Sequence, residues 1–137
     1  MPSWILLCID NRPQFLQIRK ARLEPLGFSV ATTASAPAGI AILENTAVAA
    51  VLLDYKSEGM DAEAVAYLIK QRFPDQPTIL LSAYAEMPER ILWLVDEYVM
   101  RSEPLERLAQ VIERVRRGSD TVAPRSDKLP NCYQAAA

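Results

Sequence analysis

Apolar runs of strand length and apolar residues at helical spacing alternate five times along the chain. Trp4 to Ile9 is a nearly unbroken apolar run, and Phe28–Thr33, Val48–Leu53, Thr78–Leu81 and Tyr98–Met100 follow it as further strand-length segments. Between the first two, Phe15, Ile18, Leu23 and Leu26 mark one face of a helix over about 12–26, with Gly27 where a C-terminal cap belongs. Ser35 can cap a second helix that has Pro37 in its first turn and Ile42 on its inner face. Val65, Leu68, Ile69 and Phe73 carry a third, ended by Pro74. Glu89–Val95 reads as a short fourth helix. Leu105, Leu108, Ile112 and Val115 carry a fifth, which Gly118 should stop.

Strands separated by helices predict an α/β domain, a doubly wound parallel sheet with helices on both faces. The periodicity vanishes from residue 119. The expected organisation is therefore one domain over 1–118 and a flexible C-terminal tail over 119–137.

The polar residues that interrupt this pattern sit where the strands end. Trp4–Ile9 runs into Asp10 and Asn11, Val48–Leu53 into Asp54, Thr78–Leu81 into Ser82, and the last strand into Arg101. Ligands of open parallel sheets bind outside the carboxyl ends of the strands, so two acids there suggest a site for a hard cation and a phosphoryl group.

Composition narrows the chemistry. The chain has 137 residues, half of them hydrophobic, and a net charge of −2. That balance offers no electrostatic case for nucleic acid or an anionic membrane. No apolar run is long enough to span a bilayer and the N-terminus does not read as a signal peptide, so a cytoplasmic protein is expected. There is no histidine, which excludes Ser-His-Asp and Cys-His catalysis and histidine metal ligands. Cys8 and Cys132 read as a core thiol and an incidental one.

Ile9-Asp10-Asn11, Leu53-Asp54, Leu81-Ser82-Ala83 and Tyr98-Val99-Met100-Arg101, in this order and spacing, resemble the receiver domain of two-component response regulators over about residues 3–117. The resemblance implies a flavodoxin-like sheet of order 2-1-3-4-5. It implies that Asp54 accepts a phosphoryl group from a sensor histidine kinase or phosphotransfer protein. Asp10, Asn11, Asp54 and the carbonyl of Lys56 would hold Mg²⁺, Ser82 and Arg101 would contact the phosphoryl oxygens, and Ser82 and Tyr98 would act as switch residues. The product of such a domain is a signal passed to a downstream protein partner, with a homodimer as one form. It is not an enzyme beyond self-phosphorylation and self-dephosphorylation.

The chain departs from the family pattern in four places. Asn11 stands where a second acid is usual, which predicts weak Mg²⁺ binding. Arg101 replaces a lysine, a change of shape though not of charge. Ser102 replaces a proline that generally follows a cis bond, so a trans bond is expected here. The segment from Ser82 to Arg101 is short, which predicts an abbreviated fourth helix. These departures support the alternative of a pseudo-receiver that binds its partner without phosphate. A phosphatase resembling the haloacid dehalogenase group would need an acid at position 56, where the chain has Lys56.

Overall fold

The computed structural model of the protein describes residues 4–55 and 60–120. Lys56, expected to offer a carbonyl to a metal, and Cys132 lie outside them, as does the expected tail beyond residue 120. Five strands, β1 (Trp4–Ile9), β2 (Phe28–Thr33), β3 (Ala50–Asp54), β4 (Thr78–Ser82) and β5 (Glu97–Met100), form one parallel sheet of order β2-β1-β3-β4-β5. The helices are α1 (Pro13–Leu23), α2 (Ala36–Asn45), α3 (Ala62–Arg72), α4 (Glu89–Leu92) and α5 (Leu105–Asp120). The doubly wound architecture expected from the pattern is therefore the one observed.

Period-two alternation splits the strands between two cores. Leu6, Cys8, Leu52, Ile79 and Leu81 face the layer closed by α1 and α5, through Leu16, Leu23, Val111, Ile112 and Val115. Leu7, Ile9, Val51, Leu53 and Leu80 face the layer closed by α2, α3 and α4, through Ile40, Leu43, Val65, Ile69 and Ile91. The central strands are buried on both faces, which is why they read as continuous apolar runs rather than as alternating ones. Cys8 belongs to this core, and burial pushes its thiol up to about 12, so it is protonated and inert.

Several helix details differ from the sequence reading. The α1 segment closes at Leu23 and continues as a 3₁₀ turn, Glu24–Leu26, where Pro25 has no N–H to donate to an α-helical ladder. Leu16 and Leu23 are the buried residues of α1, whereas Ile18 and Leu26 are about half exposed. In α3, Leu68 is likewise exposed while Ala62 and Ala66 are buried. Ile42 of α2 is only partly buried, and Ile40 and Leu43 do the packing. Gly118 does not stop α5. It carries no left-handed φ, and a glycine near a helix end costs only about 1 kcal/mol, so the helix runs on to Asp120.

Other expectations hold. Gly27 takes φ 103° and closes the turn before β2. The Ser35 hydroxyl caps α2 by accepting from the Ala38 N–H at 3.2 Å. The fourth helix is abbreviated as expected, a single turn that ends at Leu92 and not at Val95. No cis peptide bond occurs among the described residues, so the Arg101–Ser102 bond is trans.

Candidate functional site: an acid pair enclosed by arginines

Strand register assembles the site. β1 and β3 are neighbours with Ile9 opposite Leu53, so Asp10, one residue beyond, stands beside Asp54. β4 pairs with β3 and with β5, which brings Ser82 opposite Met100 and puts Arg101 one step past the sheet. The Arg101 backbone N–H donates to the Ser82 carbonyl at 2.7 Å, holding that strand end in place. Asp10 and Asp54 are both 0% exposed and Ser82 is 1% exposed. Two fully buried carboxylates side by side need compensating charge.

Three arginines provide it. Arg12 occupies the N-cap position of α1, where its own backbone N–H donates to Asp10 Oδ1 at 3.0 Å. Its Nε donates to the same oxygen at 3.0 Å, and one terminal nitrogen reaches Asp10 Oδ2 at 3.2 Å and also bonds Asp54 Oδ2. A single guanidinium thus bridges the two acids. Arg101 covers the other Asp54 oxygen, donating from Nε to Oδ1 at 2.8 Å and from a terminal nitrogen to the same atom. Arg19, nearly buried on α1, brings Nη1 to 3.9 Å from Asp10 Oδ2. The Phe15 ring backs the pair, its centroid 4.4 Å from Arg12 Cζ and 5.5 Å from Arg101 Cζ. Both contacts lie within cation–π reach.

The electrostatics follow from these contacts. Burial raises the Asp54 carboxyl above its ordinary value. The Arg101 hydrogen bond opposes that rise, the Asp10 charge adds to it, and the charges of Arg101 and Arg12 oppose it. The Arg12 guanidinium is held still more firmly in its charged form, first by its hydrogen bond to Asp10. Ser82 Oγ accepts from the Tyr84 N–H at 2.9 Å, which ties the residue to the loop after β4. Tyr98 is half buried and packs against the α2–α4 layer, with its hydroxyl enclosed and without a hydrogen-bond partner. Burial, helped by Glu103, raises its phenol.

The structure thus brings together Asp10, Asp54, Ser82 and Arg101, as the strand-end pattern predicted. Asn11 is half-buried in the loop between β1 and α1. The sequence reading missed Arg12, Arg19 and the second role of Phe15. A basic residue two places after Asp10 is within reach of that strand-end acid, but the spacing alone does not say that its side chain folds back onto it.

Mg²⁺ needs free oxygen ligands in an octahedron. All four carboxylate oxygens of Asp10 and Asp54 already lie in guanidinium contacts. No group of three acid, cysteine or histidine side chains suited to a metal occurs among the described residues. In this arrangement the residues present do not fit a divalent ion.

Comparison with known proteins gives one consistent result. The family model described as "Response regulator receiver domain" matches residues 6–113. The transcriptional regulatory protein GlrR of Escherichia coli is 30% identical over 86 residues, which are 63% of this chain and 19% of GlrR. The chain thus spans about a fifth of that relative's length. A CheY-like receiver domain protein from Methanospirillum hungatei superposes with a TM-score of 0.76 at 23% identity, covering 87% of this chain and 98% of that one. The response regulator TrrA from Thermotoga maritima, solved in complex with Mg(2+)-BeF, gives 0.75 at 24% identity, covering 82% and 99%. TrrA has also been solved in complex with the histidine kinase ThkA. No helix among the described residues is long and apolar enough to cross a membrane.

Proposed function

Because this chain belongs to the response regulator receiver family, we propose that it is a phosphorylation-controlled switch of the cytoplasm that signals by binding a protein partner. Asp54 is the acceptor. The phosphoryl group leaves an imidazole nitrogen of a histidine kinase or phosphotransfer protein, and the N–P bond breaks as a P–O bond to Asp54 forms. The observation that carries this reading is the convergence of buried Asp54 with Ser82 and Arg101 at one sheet edge. Arg101 and Arg12 would exchange a carboxylate oxygen for phosphoryl oxygens, which the planar guanidinium binds in the same forked manner. Acceptance therefore requires the arginine contacts on Asp54 to open, and slow modification is expected. TrrA, with its kinase complex, supports a histidine kinase as the donor class.

One observation favours a second reading, a pseudo-receiver that binds its partner without phosphate: the Arg12 bridge leaves the acids already neutralised. Incubation with acetyl phosphate, with and without Mg²⁺, followed by intact-mass measurement separates the two. A phosphoryl mass that accumulates over hours and is lost in Asp54→Asn supports the switch. Equal, negligible incorporation in wild type and Asp54→Asn supports the pseudo-receiver. Label that survives Asp54→Asn means another residue is the acceptor.

A further inference from the structure

We infer that Arg12 is the built-in counter-ion of the acid site, standing between Asp10 and Asp54 where a divalent cation would have to sit, so that the protein is indifferent to Mg²⁺. The inference concerns the site proposed above as the phosphoryl acceptor, but its test uses no phosphate, so either can fail without the other. Three observations carry it.

The first is geometric. Arg12 donates to both oxygens of Asp10 and to Oδ2 of Asp54, and Arg101 takes Asp54 Oδ1. An ion between the carboxylates would have to displace the bridging guanidinium and strip its hydrogen bonds before gaining any ligand of its own. The second is charge. Asp10 and Asp54 contribute two negative charges, and Arg12 and Arg101 contribute two positive ones. Arg19 adds a third positive charge 3.9 Å from Asp10. Asn11 brings no carboxylate to offset more. A divalent cation would therefore enter a site that is already neutral or positive, and the guanidinium groups would repel it. The third is anchoring. Arg12 is not a mobile surface side chain that happens to fold inward. Its backbone N–H is fixed to Asp10 Oδ1 at the start of α1, and its guanidinium rests 4.4 Å from the Phe15 ring centroid. Main chain, carboxylates and ring all hold the charge in one place.

The consequence is that Asn11 is only half of the departure from a metal site. A missing carboxylate lowers the attraction for Mg²⁺, whereas a resident guanidinium occupies the position itself. Restoring an acid with Asn11→Asp then gains little, and removing Arg12 gains much.

Isothermal titration of Mg²⁺ into the full chain, paired with thermal melts, tests this. Wild type is expected to give no binding heat and no change in Tm. Arg12→Ala is expected to bind Mg²⁺ at least about tenfold more tightly than wild type, and its Tm should rise with added Mg²⁺. Arg12→Gln, which keeps a hydrogen-bonding side chain without the charge, should behave in the same way and serves if the alanine variant does not fold. The Nε–H resonance of Arg12 in wild type should not move on adding Mg²⁺. Equal Mg²⁺ affinity in wild type and the Arg12 variants overturns the inference, as does absence of binding in all of them. Displacement of the Arg12 Nε–H resonance by Mg²⁺ in wild type overturns it as well.

Discussion

Asp10 and Asp54 are two buried negative charges, and most of what is unusual here follows from how they are neutralised. Removing one partner from such a cluster leaves the others uncompensated. Arg12→Ala should lower the unfolding free energy by roughly 3 kcal/mol in metal-free urea titrations, the scale for breaking a buried pair from one side. A loss below a few tenths would show that the bridge contributes nothing. The direction of the Asp54 shift gives a pH prediction. Its folded-state value lies above the ordinary value of 3.8, so between the two the folded protein holds the proton more firmly than the unfolded chain. The Asp54 contribution is therefore most favourable at low pH, and it is lost as pH rises through the folded value. Asp54→Asn removes that dependence. Stability of wild type relative to Asp54→Asn should fall as pH is raised from 3.8 through that interval, as read by urea melts. A difference that is flat, or that grows with pH, would contradict the sign. At this scale Asp10, Asp54, Ser82 and Arg101 were legible because each ends an apolar run. Arg12 was not legible as a site residue, because nothing local says which way an N-cap side chain turns.

Elements repeat that division. The existence and order of every strand and helix follow from periodicity and from Gly and Pro punctuation. Gly27 shows punctuation acting through backbone geometry: at φ 103° a side chain is strained, although open space surrounds the position. Gly27→Ala should therefore destabilise by about 1 kcal/mol through backbone strain alone. A midpoint shift in urea with an unchanged m-value is the expected signature, and no shift would show that the turn relaxes. The faces of the helices were less legible. Ile18 and Leu68 fit an apolar period yet stand exposed, while Leu16 and Ala66 are buried. At the start of α1 and on it, Arg12 and Arg19 turn toward Asp10, an arrangement that hydrophobic spacing does not encode.

For the whole molecule, the sheet separates two apolar layers that share no helix. Substitutions in opposite layers should act independently. Ile69→Val and Ile112→Val are each expected to cost about 1 kcal/mol, and the double variant their sum within about 0.5 kcal/mol. A larger departure in a double-mutant cycle would mean that the layers are coupled through the sheet. The amino-acid sequence by itself determined the α/β class, the number and order of elements, the family resemblance and four of the acid site's polar residues. These depend on local period and on which residue types end a strand, and both are properties of neighbouring positions along the chain. Only the tertiary structure decided that Asp10 and Asp54 are both sealed from water, and that Arg12, Arg19, Arg101 and Phe15 converge on them. The physical reason is that charge balance in a buried site depends on distances between residues far apart in sequence. Arg101 is 47 positions from the carboxylate it neutralises, and Arg12 is 42.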